Sequence, residues 1–484
     1  MKLFWINGEL DMKIKASKMD VIWSYVGTIF SLSSGFILLP FILIFLNNDQ
    51  VGMWYIFLAI NGLVNLFDFG FNSTFARNIA YAWSGATEVS KMGAKFSHSS
   101  KVNYRLLKVL ITTSKTLYGF ISLIAFLFVS TIGTLYMLHI SKDLVGYDHI
   151  VAWTIFCISL FLNLYMGYFA ALLRGVGAIS IINRATIFSK LSQLLISIIL
   201  LALNFNLVAL SIGFLTNGLV LRYLCRYGFY NYKKMNEHLA AIQEPVTKSD
   251  IKKSIRIVSY NAFRDGLVAL SNYLTTQASS IIASLFFTLA QTGVYSISLQ
   301  FANAVSNISA SMIFAYHPTL QSAYVNKDSD TERNVISKGL SVLYALSLIG
   351  TIAVIVVAFP VLHIIKPDKV FSTPIFIGLS IYTFLWQQQS CSAAYISNTN
   401  RVPYMPAFVV SSICGVLLTL IITKFMNIGI WSLIIGPLIV QGLYNNWKWT
   451  HVVMQRLNTT LLVTLKNGYH YWIKTLIGKL KTNS

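Results

Sequence analysis

Long apolar segments recur along the chain, and short polar or charged stretches separate them. A helix needs about 20 apolar residues to cross the hydrocarbon core of a bilayer, and twelve segments of this chain reach that length. This pattern predicts an all-α polytopic membrane protein with twelve transmembrane helices. The predicted spans are residues 20–46, 51–82, 106–139, 149–173, 182–203, 206–228, 256–288, 292–324, 336–364, 370–397, 403–424 and 428–451.

The longest connection divides the spans six and six. We therefore expect an N-terminal lobe (1–228), a cytoplasmic linker (229–255), a C-terminal lobe (256–452) and a cytoplasmic tail (453–484). The tail mixes leucines, isoleucines and a tryptophan with lysines, a composition typical of an amphipathic helix at the membrane surface. Both halves carry Gly-x-aromatic followed by Asn-x-x-x-Asn, at Asn61 and Asn65 in span 2 and at Asn303 and Asn307 in span 8. This predicts a parallel repeat, with a binding site between its halves.

Positive charge orients the spans. The chain has 37 Lys and Arg against 16 Asp and Glu, and 33 of those 37 fall on one side if the first span begins in the cytoplasm. Because loops rich in Lys and Arg stay in the cytoplasm, we expect both termini there. The net charge of +21 is explained by these loops and their attraction to anionic headgroups, so no nucleic-acid partner is predicted. The four cysteines have no metal-ligand spacing, and no metal site is predicted.

Polar residues at helical spacing mark one face of spans 1, 2, 7 and 8. In span 2, Asn61, Asn65, Asp68 and Asn72 fall at i, i+4, i+7 and i+11. A polar side chain in lipid is costly, so such a face points to protein or water. Hydrogen bonds between helices, about 1 kcal/mol or less each, are the alternative explanation. Four such faces, two from each half, favour a hydrated cavity. The other predicted lining residues are Asn261, Asn272, Gln300, Asn303 and Asn307.

Charged residues within the spans indicate the substrate. Arg264 and Lys190 lie deep in spans 7 and 5, whereas Arg77, Arg174 and Arg222 lie near the cytoplasmic helix ends. We predict that Arg264, Lys190, Arg77 and Arg174 bind substrate; ordinary anchoring at the interface is the alternative, and we assign it to Arg222. The basic excess favours an anionic headgroup such as a phosphate, whose lipid tail would stay in the bilayer. Asp68 and Asp265 either pair with a cation or bind a coupling H⁺ or Na⁺; no other cofactor is predicted.

Residues 66–85 read LFDFGFNSTFARNIAYAWSG. This segment resembles the Wzx family of bacterial O-antigen flippases, in the polysaccharide branch of the MOP exporter superfamily. Residues 171–177 (ALLRGVG), and His317-Pro318 followed by residues 321–324 (QSAY), are also similar to it. The resemblance implies two six-helix lobes around a central cationic cavity and alternating access driven by an ion gradient or the membrane potential. It also implies flipping of undecaprenyl-diphosphate-linked oligosaccharide to the outer leaflet of the bacterial inner membrane. Asp68 and Arg77 lie in the matching segment. A polysaccharide polymerase and a chain-length regulator are the partners that the family implies.

Three alternatives remain open at this point. A lipid II flippase of the same superfamily would take a related headgroup, and a cation-coupled multidrug exporter would carry acidic residues in its cavity. An integral membrane enzyme needs catalytic carboxylates or a metal site. The one Asp-x-Asp pair, Asp328 and Asp330, lies in a short loop with no room for a sugar-nucleotide domain. No Walker motif is present. We therefore expect a transporter and not an enzyme.

Overall fold

The computed structural model describes residues 18–90, 93–96, 102–142, 144, 146–325, 327–367, 371–397 and 403–482. The described chain is helical apart from one small hairpin. The first eleven helices are α1 (Lys18–Phe45), α2 (Asn48–Asn65), α3 (Phe71–Trp83), α4 (Tyr104–Phe128), α5 (Thr134–Ile140), α6 (Asp148–Tyr165), α7 (Tyr168–Gly175), α8 (Ile179–Ala202), α9 (Asn206–Asn231), α10 (Met235–Ala240) and α11 (Lys248–Thr276). The other ten are α12 (Ala278–Phe286), α13 (Leu289–Ala315), α14 (His317–Val325), α15 (Ser329–Ala353), α16 (Phe359–Ile365), α17 (Thr373–Ser397), α18 (Met405–Phe425), α19 (Ser432–Leu443), α20 (Asn445–Arg456) and α21 (Leu461–Thr482).

Every predicted span coincides with one helix or with two consecutive helices. Seven of the described helical segments are long and apolar enough to cross a membrane. Spans 2, 4, 7, 8 and 12 are each divided into two helices by a break, and spans 3 and 9 by a π-helical turn. The expectation that span 2 is one continuous helix is wrong, because α2 ends at Asn65 and α3 begins at Phe71. Phe69 and Gly70 between them have positive φ angles of 44° and 76°, a backbone conformation that glycine adopts at little cost.

The first turns of α2 and α13 are closed by reciprocal side-chain caps. The Asn47 side chain accepts from the backbone N–H of Gln50, and the Gln50 side chain accepts from the backbone N–H of Asn47. Thr288 and Gln291 form the same capping box at the start of α13. Such boxes satisfy backbone donors that have no partner within the helix. They therefore fix the beginnings of α2 and α13.

Spans 3 and 9 each contain a π-helical turn. In span 3, the 25-residue helix α4 is followed by a five-residue π turn and the seven-residue helix α5. In span 9, the 25-residue helix α15 is followed by a five-residue π turn and the seven-residue helix α16. π turns are rare inside α-helices. Both spans are therefore long helices with one local widening near their far end.

The connection between α3 and α4 contains a hairpin that the all-α prediction missed. Strand β1 (Ala86–Ser90) pairs antiparallel with β2 (Gly93–Phe96), and Glu88 faces Lys95 in the register. Two of the four facing pairs, Glu88 with Lys95 and Ser90 with Gly93, are charged or small and polar, and a short segment with such residues is typical of a loop. The correction is small, because the hairpin is the only sheet in the described part of the chain.

The chain divides into two compact units, Met1–Leu270 and Ser271–Ser484. The first unit is built on a core in which Phe75 and Ile79 of α3 pack with Leu172 and Leu173 of α7. The division falls inside α11, and the beginning of this helix belongs to the first unit. The residues that lead into it, 241–250, are bound to α4. The Lys108 ammonium donates to the carbonyl of Ile242 at 2.7 Å. The predicted lobe boundaries at 228 and 256 stay a prediction.

The second unit has its own core around Trp386, Phe408 and Trp449. Helix α21 occupies the predicted amphipathic tail and packs closely on α15 in this unit. A Cβ atom on Gly468 would lie 2.1 Å from the backbone oxygen of Ser337, so only glycine permits this approach. The Trp472 indole N–H donates to the carbonyl of Lys338 at 3.3 Å. The tail is a helix, and its place at the membrane surface stays a prediction.

Candidate functional site

A cavity of about 500 Å³ lies within the first unit, where the two helix breaks of spans 2 and 4 occur. One break comprises residues 66–70, and the other lies at Met166 and Gly167 between α6 and α7. Irregular backbone at membrane depth is tolerated where it lines a cavity or is buried in protein. The polar residues lining the cavity are Asn61, Asn65, Asp68, Asn72, Ser73, Tyr118, Asn163, Arg174 and Arg222.

Asp68 occupies the break in span 2 and binds to the start of α3. One carboxylate oxygen accepts from the hydroxyl of Tyr118. The other accepts from the backbone N–H of Asn72 at 3.3 Å, in the first turn of α3. A carboxylate is favoured there because the N-terminus of a helix carries partial positive charge. Asp68 is thus held by α4 and by the start of α3.

Asn72 joins the two helix breaks. Its side-chain N–H₂ donates to the carbonyl of Gly167 at 3.4 Å, across to the break in span 4. The Asn72 side-chain oxygen is buried and has no hydrogen-bond partner among the described residues. Asn72 therefore has an acceptor available for a ligand or a water molecule in the cavity.

Two arginines bring positive charge to the cavity. Arg174 stands at the end of α7 and is exposed, and Arg222 stands on α9 and is half-buried. The Arg222 Nε atom is buried and has no hydrogen-bond partner in the part of the chain that the structure describes. With Asp68 as the carboxylate in the lining, the lining residues carry a net charge of +1. An anion fits this arrangement better than a cation.

Asn163 lies on the wall between α6 and α9. Its side-chain N–H₂ donates to the hydroxyl of Ser159 at 3.2 Å. A Cβ atom on Gly218 would lie 2.2 Å from the Asn163 side-chain oxygen. Glycine at 218 therefore lets the carboxamide reach the backbone of α9, which fixes this side of the cavity.

The structure brings five predicted residues into this cavity, namely Asn61, Asn65, Asp68, Asn72 and Arg174. Arg222, which the sequence analysis assigned to anchoring, also lines it. Ser73, Tyr118 and Asn163 also line it and were not predicted. Asn163, a lone carboxamide in an apolar span, was the available signal, whereas nothing in the sequence of span 3 distinguishes Tyr118 from an interfacial aromatic residue.

Other predicted site residues lie elsewhere. Arg77 is exposed on α3 and does not line the cavity. The Lys190 ammonium donates to the Gln193 side-chain oxygen at 3.2 Å, which also accepts from Asn217 at 2.7 Å. The side chains of Asn261, Arg264 and Asp265 are outside the described residues. In the second unit, Asn272 and Asn307 are exposed, and Gln300 and Asn303 are half-buried. The roles of these residues stay predictions.

Among the described residues, no group of three or more His, Cys, Asp or Glu side chains is arranged to hold a metal ion. Three of the four cysteines are buried, and Cys414 is exposed. The described cavity therefore offers carboxamide, hydroxyl, carboxylate and guanidinium groups.

Comparison with known proteins identifies the fold. The sequence matches no protein-family profile and no curated protein. Among solved structures, the chain is similar to an inward-facing multidrug resistance MATE family transporter of the MOP superfamily. The two match with a TM-score of 0.62 and 12% sequence identity, over 89% of this chain and 94% of that one. An outward-facing structure of a MATE family transporter matches with a TM-score of 0.58, 12% identity, and coverage of 93% and 99%.

A third similar structure is a MOP superfamily transporter from Pyrococcus furiosus Vc1 (DSM3638), described as having a binding pocket of reverse polarity that suggests a different function. It matches with a TM-score of 0.50, 10% identity, and coverage of 94% of this chain and 100% of that one. The chain thus has the polytopic membrane fold of MOP transporters, a twelve-helix fold. The predicted fold class is confirmed.

Proposed function

We propose that this protein is a flippase for undecaprenyl-diphosphate-linked oligosaccharide, the O-antigen repeat unit, which it moves from the inner to the outer leaflet of the bacterial inner membrane by alternating access. One observation carries the proposal: Arg174 and Arg222 share a cavity with the carboxamides of Asn61, Asn65 and Asn72. The similarity of residues 66–85 to the Wzx family supports the same substrate.

Each group in the cavity suits a part of such a headgroup. A guanidinium presents a planar fork of donors that matches phosphate oxygens, and the Arg222 Nε has no partner among the described residues. Carboxamides both donate and accept, as sugar hydroxyls do. The polyprenyl tail would stay in the bilayer, since its transfer into a polar cavity would be unfavourable.

Asp68 is the proposed coupling residue. It lies in the same cavity as the arginines and is held by Tyr118 and by the first turn of α3. In this proposal, Asp68 exchanges H⁺ or Na⁺ during the cycle, and the ion gradient or the membrane potential supplies the driving force. Arg77, Lys190, Arg264 and Asp265 remain predicted contacts elsewhere along the path. Cytoplasmic termini, and a polymerase and chain-length regulator as partners, belong to the same proposal.

A cation-coupled multidrug exporter is the second candidate. Asp68 in the cavity favours it, because a carboxylate attracts a cationic drug. The two similar MATE structures are those of multidrug resistance transporters. Against this, the lining has two arginines for one carboxylate. The Pyrococcus furiosus transporter is described as differing in the polarity of its pocket and in function, so polarity is the property to test. A lipid II flippase would share the diphosphate and differ in the sugar.

Cells that lack the gene, complemented with variants, provide the test. We would measure surface polysaccharide and the leaflet location of lipid-linked repeat units for the wild type, Arg174→Gln and Arg222→Gln. Arg226→Gln is the matched control, because Arg226 lies one turn further along α9, is exposed and does not line the cavity. We expect the deletion and both cavity variants to trap repeat units on the inner leaflet, and Arg226→Gln to restore surface polymer.

The other outcomes distinguish the candidates. Normal polysaccharide in the deletion strain together with increased sensitivity to cationic drugs would replace the proposal with drug export. Accumulated lipid II on the inner leaflet would replace it with the cell-wall flippase. Equal loss of activity in Arg226→Gln and Arg222→Gln at normal expression would show that the cavity position is not what matters.

A further inference from the structure

A second cavity, of about 250 Å³, lies in the first unit between the hairpin and the beginnings of α4 and α11. Its polar lining includes Asn78, Glu88, Arg105, Asp250 and Lys253. The volume is a little below that of pockets for drug-sized molecules, about 300–1,000 Å³. It therefore suits a fragment of headgroup size. None of these residues lines the cavity that contains Asp68.

Two buried donors in this cavity have no hydrogen-bond partner among the described residues. Asn78 is 3% exposed, and its side-chain N–H₂ has no hydrogen-bond partner among the described residues. The same holds for the Nη1 atom of Arg105. The other guanidinium nitrogens are engaged, Nε with Glu244 at 2.9 Å and Nη2 with Asp250 at 3.1 Å. A buried donor without an acceptor is unfavourable. A ligand with at least two acceptor atoms would therefore satisfy both donors and bind favourably in this cavity.

The charges around the cavity balance. Glu88 and Asp250 contribute two carboxylates, and Arg105 and Lys253 contribute two cations. A hydrogen bond from Lys253 holds the pKa of Glu88 below its usual value. The backbone N–H and hydroxyl of Thr247 do the same for the pKa of Asp250. Both carboxyl groups are therefore ionised at neutral pH. Each carboxylate also pairs with a cation of the lining, Glu88 with Lys253 at 2.6 Å and Asp250 with Arg105 at 3.1 Å. The lining therefore has no net charge, and a ligand without net charge fits it better than a simple anion.

Polarity also changes with depth. Arg105 and Asp250 lie in the first turns of α4 and α11, whereas Val109, Leu110 and Val258 lie one to two turns further along these helices. The helical segment from Tyr104 to Ile140 is long and apolar enough to cross a membrane. The cavity is thus charged at the helix ends and apolar towards the helix interior. A phospholipid at the edge of a leaflet has the same order of headgroup and acyl chains.

We infer that this cavity binds the headgroup of a zwitterionic phospholipid. Its ammonium lies at Glu88 and Asp250, and its phosphodiester and ester oxygens accept from the Asn78 side chain and from Arg105 Nη1. The hairpin and the linker are then parts of one lipid site, because β1 supplies Glu88 and the start of α11 supplies Asp250. This site is independent of the proposed transport function.

Lipid binding to the delipidated full-length protein tests the inference. The probes are phosphatidylethanolamine, anionic phosphatidylglycerol, soluble glycerophosphoethanolamine and inorganic phosphate, each followed by native mass spectrometry and by the thermal midpoint in detergent. The variant is Asn78→Leu, which removes the unpaired donor at similar volume. Asn446→Leu is the matched control: Asn446 is also buried, with both amide atoms lacking a partner among the described residues, but lies in the second unit.

We expect phosphatidylethanolamine to bind the wild type and Asn446→Leu, and to bind Asn78→Leu about tenfold more weakly, the usual effect of one lost hydrogen bond to a charged group. Asn78→Ser, too short to reach the ligand, should repeat this loss if Asn78→Leu does not fold. Equal or tighter binding of phosphatidylglycerol or phosphate would overturn the zwitterionic ligand. Equally tight binding of glycerophosphoethanolamine would overturn a lipid source. Unchanged binding in the folded Asn78 variants, or no binding in the wild type, would overturn the site.

Discussion

Gly175 sets the distance between α3 and α7, and replacing it with alanine tests whether that distance holds the functional cavity together. A Cβ atom there would lie 2.5 Å from Cγ2 of Ile79 and 2.7 Å from the backbone oxygen of Ala76. Carbon atoms in ordinary contact are about 3.5–4.0 Å apart. The two helices would therefore have to separate by about 1 Å. Because Ala76 contributes a backbone atom, a change of rotamer cannot relieve the contact.

The magnitude follows from two opposing effects. Overpacking a close-packed interior lowers the free energy of unfolding by about 1–3 kcal/mol. Replacing glycine with alanine within a helix raises it by up to about 1 kcal/mol. We expect a net loss of about 1–2 kcal/mol. For a domain of roughly 150–250 residues this lowers the unfolding midpoint by about 2–4 °C per kcal/mol. Arg174 precedes Gly175 on α7, so affinity for a diphosphate headgroup should fall as well.

The assay is thermal unfolding in detergent combined with headgroup binding. Gly119→Ala is the control in the same unit, because a Cβ atom there would lie 3.5 Å from the ring of Tyr165, an ordinary contact. We expect the midpoint of Gly119→Ala to be unchanged or higher. Equal midpoints for Gly175→Ala and Gly119→Ala would refute the tight α3–α7 contact. A lower midpoint with unchanged headgroup affinity would refute the dependence of Arg174 on it.

Two further predictions concern charges. Asp68→Asn keeps the size of the side chain and removes its charge, so we expect headgroup binding to persist and transport to lose its dependence on the ion gradient. Transport into proteoliposomes with and without an imposed gradient measures this dependence. An unchanged dependence would exclude Asp68 as the coupling residue. Arg105→Gln breaks the ion pairs with Glu244 and Asp250, and because these pairs are partly exposed each contributes little to the free energy of unfolding. We expect faster limited proteolysis within residues 235–250 and little change in thermal midpoint; an unchanged cleavage rate would show that the linker is held in another way.

Apolar length predicted the twelve segments, because the requirement to cross a bilayer acts on each segment separately. The break in span 2 was missed for a related reason. Residues 66–71 read LFDFGF, which is apolar enough to continue a hydropathy segment, and Gly70 is the one residue among them that signals a positive φ. The polar face of this span still predicted the right side chains, since Asn61 and Asn65 precede the break and Asp68 lies at the end of its first turn.

The positions of the remaining site residues depend on packing between helices, which cannot be predicted from the sequence of any one segment. Arg222 lies near the end of span 6, where an arginine usually reaches the interface, and only the packing of α9 beside α6 and α7 brings it to the cavity. Tyr118 needs the position of α4 relative to the break before its hydroxyl can be assigned to Asp68. The hairpin was missed because its sequence, rich in Lys, Glu, Ser and Gly, resembles a solvated loop.

The π turns that spans 3 and 9 share bear on the evolutionary origin of the two halves of the chain. Spans 3 and 9 share the same succession of 25, five and seven residues. The capping boxes of α2 and α13 each end two residues before a glycine, Gly52 and Gly293. Such coincidences are expected if an ancestral gene for six helices was duplicated and fused to its own copy. In such a duplication, an even number of crossings would give the second copy the same orientation in the membrane as the first. Later divergence of the two copies would explain one difference between them. Helix α13 runs unbroken from Leu289 to Ala315, whereas α2, at the corresponding place in the first half, ends at Asn65.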